Sequence, residues 1–327
     1  MSATVLTPGF LTTVQDEGRA GFRDIGVSTG GALDPHAVRT ANLLVGNERS
    51  AAGLEVTLGN FRARFSEPRL IAWCGGVFDV RIGDERLPPG RAGLIRTGEE
   101  LAVGHAEAGC RAWLAIAGGI DLPLVLGSRS TDLRARFGGL EGRTLQRGDV
   151  LKFSSMSHAA RVLVDALDST RMASWFAPAE WASTASTHPV LRVVIGSEWA
   201  FFDEESRAAL WRDRFAVTAQ TDRMGARLEG PSLHYRGAEL LSEAVTAGTI
   251  QVPPSGQPII LLPDCQTIGG YPKLAHVITV DLPIAAQLRP GDEVRFREVS
   301  LADAHRSWLQ RERELELFRV GLSLRTP

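Results

Sequence analysis

The sequence predicts a mainly β protein built as two tandem β-barrel modules with a few short helices. Three observations carry that reading. Thirty-four glycines and seventeen prolines are spread through 327 residues, breaking the chain into many turns. Between those turns lie short apolar or alternating segments rather than long runs of helical periodicity. Finally, a Gly-acid turn that launches a strand recurs. Leu288-Arg-Pro-Gly-Asp-Glu-Val-Arg-Phe296 echoes Leu145-Gln-Arg-Gly-Asp-Val-Leu-Lys-Phe153, and more faintly Ile95-Arg-Thr-Gly-Glu-Glu-Leu-Ala-Val103. Shared turn chemistry alone would produce the echo, but it closes each half of the chain, as two related modules would.

In the first half, residues 1–153, strands are expected at Leu54–Leu58, Phe61–Phe65, Arg69–Trp73, Phe78–Ile82, Gly93–Ile95, Leu101–Val103, Trp113–Ala117 and Val150–Phe153. One helix stands out. Asp34 suits its N-cap and Pro35 its first turn; Ala37, Val38, Ala41 and Leu44 share a face before Gly46 stops it. Residues 154–189 are rich in Ser and Ala and read as a linker or insertion, with a short helix around 161–167. The second module, residues 190–299, should hold strands at Leu191–Ile195, Phe215–Ala219, Thr249–Val252, Pro258–Leu262, His276–Val280 and Val294–Glu298, with a helix over Ala200–Arg212. Residues 300–327 form a charged helical tail, with apolar residues at helical spacing from Leu301 to Phe318.

Composition excludes several classes. With 36 basic and 38 acidic residues the net charge is −2, which gives no footprint for nucleic acid. Only Lys152 and Lys273 are lysines, an arginine bias that fits a GC-rich genome. Cys74, Cys110 and Cys265 are an odd, scattered set without metal-ligand spacing, as expected of a reducing compartment. The start, Met1-Ser-Ala-Thr-Val-Leu-Thr-Pro8, lacks the basic and apolar regions of a signal peptide, and no apolar run nears the ~20 residues that span a bilayer. A cytoplasmic protein is expected.

Common catalytic motifs fail in turn. There is no Gly-Lys pair for a Walker loop and no Gly-x-Gly-x-x-Gly after a strand. Neither lysine adjoins a methionine, so biotin is not attached to this chain. Gly26-Val-Ser-Thr-Gly30 matches a nucleophile elbow around Ser28, yet the strand–helix alternation of such hydrolases is missing. His36, His234 and His276 are better read as structural.

Chemistry concentrates between Gln220 and Lys273. Asp222 and Arg223 could pair and order a turn. Gln251 and Gln257 offer carboxamides suited to a planar urea or lactam edge. Asp264, Gln266 and Thr267 precede the Gly269-Gly270 turn, whose bare backbone lets a ligand approach, and Tyr271 and Lys273 follow it. On spacing alone, binding groups and turn-stabilising residues at barrel corners are equally good descriptions.

A resemblance bears on that choice. Thr13-Val-Gln-Asp-Glu-Gly-Arg19, Gly30-Gly-Ala-Leu-Asp-Pro35, Ala41-Asn-Leu-Leu-Val-Gly-Asn47 and Leu54-Glu-Val-Thr-Leu-Gly59 form one set of motifs. Ala117-Gly-Gly-Ile-Asp121, Leu126-Gly-Ser-Arg-Ser-Thr131, Asp222-Arg-Met-Gly225, Gly248-Thr-Ile-Gln-Val-Pro253 and Gln266–Lys273 form a second. Together they resemble the biotin-dependent carboxyltransferase family of allophanate hydrolase subunit 2 and the C subunit of 5-oxoprolinase, over roughly residues 4–298. The resemblance implies cyclophilin-like barrels and a chain that is one subunit of a complex. The partners implied are a smaller related subunit (of the 5-oxoprolinase B-subunit or allophanate hydrolase subunit 1 type) and a lactam-utilisation protein of the 5-oxoprolinase A-subunit type. The implied activity is ATP-dependent hydrolysis of 5-oxoproline to glutamate, with ATP and Mg acting at the level of the complex. Two alternatives stay open: the carboxyltransferase half of a biotin-dependent urea carboxylase or allophanate hydrolase system, and a non-catalytic regulator that antagonises a kinase inhibitor. These chemistries share a planar N–C=O group on whose oxygen charge develops. On that basis Asp264 and Lys273 are expected to be catalytic, Asp264 toward the N–H edge and Lys273 with the Gly269-Gly270 turn toward the oxygen. Asp222, Arg223, Gln251, Gln257, Gln266, Thr267 and Tyr271 would bind substrate.

Overall fold

The computed structural model describes residues 1–186 and 188–324. The chain divides into two compact units. The first comprises Met1–Arg19, Gly30–Ala185 and the chain from Glu314; the second comprises Ala20–Thr29 and Ser186–Arg313.

The first unit holds strands β1 (Ser2–Pro8) and β2 (Leu11–Gln15), helix α1 (Pro35–Leu44), and strands β3 (Gly53–Thr57), β4 (Phe61–Phe65), β5 (Arg69–Ile82), β6 (Glu85–Arg86), β7 (Gly93–Ile95), β8 (Glu100–Ile116) and β9 (Val150–Lys152). Helices α2 (His158–Ala166) and α3 (Ala179–Ala182) follow. The strands form one nine-stranded sheet in the order β2-β3-β8-β4-β1-β9, with β5 paired to β6, β7 and β8. Alternation along β5 explains its place. Ile71 and Trp73 enter the core inside the curl of the sheet, while Leu70 and Ala72 face outward onto Val38, Ala41 and Leu44 of α1. Helix α1 begins as expected: the Asp34 carboxylate accepts the Ala37 N–H at 2.8 Å, and Pro35 opens the first turn.

Two expectations change here. The segments expected to be separate strands within 69–82 and 101–117 are continuous strands of 14 and 17 residues. Gly75 sits at a bulge with φ +133° and does not end its strand. The Ser/Ala-rich segment read as a linker carries α2 and α3 and belongs to this unit, burying Leu163, Leu167, Ala173, Ala177 and Trp181. Its apolar residues are sparse but periodic enough to cover the outer face of the sheet.

The second unit holds β10 (Val190–Ile195), α4 (Glu204–Arg212), β11 (Phe215–Val217), β12 (Gly225–Glu229), β13 (Glu243–Ala244), β14 (Thr249–Gln251), β15 (Ile259–Leu261), β16 (Ile268–Gly269), β17 (Lys273–Val277), α5 (Leu282–Ala286) and β18 (Glu293–Glu298). Seven strands close a barrel in the order β10-β17-β14-β15-β12-β11-β18, sealed by the parallel pair β18–β10. Closure leaves no free edge on the barrel. A separate two-stranded ribbon pairs β13 with β16. The tail is helix α6 (Leu301–Ser323), whose buried Leu315 packs with Leu43 and Trp181 of the first unit's own core. No described helix is long and apolar enough to cross a membrane.

The sequence echoes are one turn used three times. Gly98, Gly148 and Gly291 have φ of +82°, +91° and +94°, and the next residue's carboxylate accepts the N–H three positions earlier. Glu99 receives Arg96 at 2.8 Å, Asp149 receives Gln146 at 2.7 Å and Asp292 receives Arg289 at 2.9 Å. The repeat therefore lies at the level of turn chemistry.

Candidate functional site

The expected site residues all lie in the second unit, and the structure sorts them. Gln251 ends β14, where a bulge pairs Ile250 with Ala275 but Gln251 with Lys273. That irregularity leaves Gln251 buried, its Nε2 donating to the Tyr271 carbonyl at 3.2 Å. Gly269 lies in the β13–β16 ribbon directly beside it. A Cβ on Gly269 would sit 2.9 Å from Gln251 Nε2, 3.3 Å from its Oε1 and 3.4 Å from Gln266 Nε2. A Cβ here would have to push the Gln251 carboxamide aside, and two carboxamides meet over the bare α-carbon of Gly269. The Gly270 and Tyr271 N–H groups donate to no acceptor among the described residues.

Lys273 opens β17 at the rim of this group. Its ammonium pairs with Glu243 of β13 and lies 3.9 Å from Glu198, which also accepts the Lys273 backbone N–H at 2.7 Å. Arg223 and Asp264 form a two-bond ion pair, Nε–Oδ2 2.8 Å and Nη2–Oδ1 3.2 Å, with both side chains largely shielded from solvent. Asp264 is thus engaged by a guanidinium. Burial pushes the Cys265 thiol up in pKa, although the nearby Arg23 guanidinium opposes the shift. That guanidinium, from the Ala20–Thr29 segment of the unit, also donates to the Val245 carbonyl.

The structure corrects two expectations and places a third residue. Asp222 does not pair with Arg223; its Oδ1 caps the turn, accepting the N–H groups of Met224 at 2.8 Å and Gly225 at 3.1 Å. Gln257 is spent on Gly230, accepting its N–H at 2.8 Å and donating to its carbonyl at 3.2 Å, away from the Gly269 group. Thr267 is buried, and its carbonyl accepts the Val245 N–H at 3.1 Å, continuing the ribbon.

A cleft of about 610 Å³ opens where Gly270 and Tyr271 surface. Leu233, Val252 and Pro272 line its base, and Tyr235 and Pro253 contribute walls. A volume of this size accommodates a small organic ligand. Sequence reasoning missed Arg23, Glu198, Glu243 and the 233–240 loop, because each reaches the site through contacts distant in the chain. His276 sits in β17 as part of the barrel wall. Its Nδ1 lies 3.3 Å from Thr249 Oγ1, and desolvation lowers its pKa, keeping the ring neutral at neutral pH.

A family model for the carboxyltransferase domain, subdomains A and B, matches residues 25–298. The chain belongs to this carboxyltransferase family. Within it, the chain is 38% identical over 313 residues to the C subunit of 5-oxoprolinase from Escherichia coli, covering 95% of this chain and 96% of that one. It is 37% identical to the Haemophilus influenzae protein of the same name, covering 94% of each. The crystal structure of the Kluyveromyces lactis urea amidolyase superposes with a TM-score of 0.88 at 29% identity, over 97% of this chain and 20% of the amidolyase.

Proposed function

We propose that this chain is a subunit of an ATP-dependent 5-oxoprolinase complex and that its second unit binds the cyclic amide. The observation that carries the reading is the meeting of the Gln251 and Gln266 carboxamides over Gly269. A five-membered lactam is held cis, so its N–H and C=O share one edge. A carboxamide offers the complementary acceptor and donor on one edge of its own. Gln251 Oε1 would accept the lactam N–H, and Gln266 Nε2 would donate to the carbonyl. The Gly270 and Tyr271 amides are spare donors for the oxygen as charge develops on it. Near-complete coverage of two relatives named as the 5-oxoprolinase C subunit supports the substrate choice over urea.

In the reaction water adds to the lactam carbonyl carbon, the ring C–N bond breaks, and the nitrogen takes a proton to give glutamate. Asp264 and Lys273 act in this reading through fixed charge, since Arg223 holds the first and Glu243 and Glu198 hold the second. ATP and Mg would supply the driving force within the complex. Among the described residues no group of three or more His, Cys, Asp or Glu side chains could hold a metal ion. The proposed partners are the lactam-utilisation protein and the smaller subunit.

The test is co-expression with those two partners, followed by measurement of glutamate and ADP formed in the presence of 5-oxoproline. Turnover that requires all three chains and falls at least about tenfold in Lys273→Ala and Asp264→Asn is expected. An assembled complex without 5-oxoproline turnover would sink the reading; full activity in both variants would remove those two residues from it.

A further inference from the structure

Three cations of the second unit, Arg23, Arg223 and Lys273, are unequally compensated. Arg223 is neutralised by Asp264, and Lys273 by Glu243 with Glu198 close by. Arg23 differs. Its half-buried guanidinium donates to the Val245 carbonyl and contacts the buried Cys265 thiol, and no carboxylate lies within ion-pair distance among the described residues. Neither contact carries negative charge, and a guanidinium has five N–H donors to satisfy.

Its position matters as much as its charge. Val245 continues the ribbon that places Gly269, through the Val245 N–H to Thr267 carbonyl bond, and Cys265 immediately precedes Gln266. Arg23 is therefore held against the segment that leads into Gln266 and the end of the strand that pairs with Gly269. A fork of N–H donors there, short of a counter-ion, is the geometry that receives a carboxylate.

We infer that Arg23 is the receptor for the carboxylate of the cyclic-amide substrate and makes the site selective for an anionic lactam over a neutral amide or urea. The inference rests on the 5-oxoprolinase reading and deepens it. The carboxamides read the ring amide, which 5-oxoproline shares with neutral lactams. Arg23 reads the acid that distinguishes it, and that acid is ionised well above its pKa of about 3.5.

The test uses the assembled complex with Arg23→Gln and Arg23→Lys, assayed for turnover of 5-oxoproline. Binding of 5-oxoproline and of 2-pyrrolidinone, the same ring without the acid, is measured by calorimetry. Arg23→Gln should raise KM and Kd for 5-oxoproline at least about tenfold with kcat changed much less, and Arg23→Lys should recover part of that loss. Binding of 2-pyrrolidinone should not change. Equal weakening of both lactams, or an unchanged KM in Arg23→Gln, overturns the role. If Arg23→Gln does not fold, the ratio of 5-oxoproline to 2-pyrrolidinone affinity in Arg23→Lys decides: a fall supports the role and an unchanged ratio overturns it. Wild-type complex that ignores 5-oxoproline instead refutes the underlying reading.

Discussion

Around Asp16 in the first unit and around Gly269 in the second, motif residues of one chain are used in opposite ways. The Asp16 carboxylate collects Ser128 Oγ and Ser130 Oγ at 2.5 Å each, the Gly18 N–H at 2.8 Å and the Arg129 N–H at 2.6 Å. Buried Arg19 beside it donates to the Val125 carbonyl at 3.2 Å and to that of Ser130, and lies 4.6 Å from the centre of the Phe137 ring. Each acceptor is consumed within the fold, and the Thr13–Arg19 and Leu126–Thr131 motifs knot the 117–149 loops to the sheet. Around Gly269, by contrast, the Gln266 side chain and the Gly270 and Tyr271 amides find no hydrogen-bond partner among the described residues, and Arg23 lacks a counter-ion there. Saturated polar groups build structure; polar groups left unspent beside a cleft are available to a ligand.

The harshest way to break that comparison is Asp16→Ala. Four donors would lose their acceptor in a buried setting, so a loss of about 3 kcal/mol is expected. Urea unfolding followed by tryptophan fluorescence reads it, with KM for 5-oxoproline unchanged in the protein that stays folded. Preserved stability with lost activity would make the first unit's knot a functional site and erase the contrast.

How legible this was in the sequence differs between the two regions. Helix α1 could be read because its start is local: Asp34, Pro35 and an apolar face suffice. Strands β1 and β2 were missed because they are fixed by partners far along the chain, such as Ala3 with Phe65 and Leu11 with Thr57. Glycines 75, 104 and 109 looked like breaks, yet they bend strands that continue through them. In the second unit, Gln251, Gln266, Gly269 and Tyr271 were expected together from their closeness in sequence, and the structure brings them together. Gln257 was an equally good candidate on composition, and only its two bonds to Gly230 separate it from Gln266. Arg23 carried no local signal, since its partner Val245 is 222 positions away.

A gentler variant pair sharpens the division within the second unit. Gln266→Ala should raise KM for 5-oxoproline roughly tenfold while stability stays within about 0.5 kcal/mol. Gln257→Ala should do the reverse, costing about 1 kcal/mol of stability with KM unmoved. Steady-state kinetics and urea midpoints on the same preparations decide. The opposite pattern would move the site to the cleft that Gln257 lines with Gln220 and Arg227.

The smallest expected effect asks whether the second unit also contains a saturated acid like Asp16, spent on folding alone. Asp203 is that group. It caps α4, accepting the Ser206 N–H at 3.0 Å and Ser206 Oγ at 2.5 Å through Oδ1, and its Oδ2 accepts from Arg236 at 3.0 Å. Hydrogen bonding to Ser206 is the main cause of a pKa lowered from 3.8 to about 2. Because the folded-state value lies below the unfolded one, the group stabilises the fold above about pH 4, and that contribution disappears as pH falls toward 2. Asp203→Asn should therefore flatten the acid limb of the stability curve over that window, measured by urea unfolding at stepped pH, and leave KM at pH 7 unaltered. A change in KM would show that the α4 cap and the Arg236 edge of the cleft act as one unit. The boundary between the residues that fold this barrel and those that serve its ligand would then have to be redrawn to include Asp203.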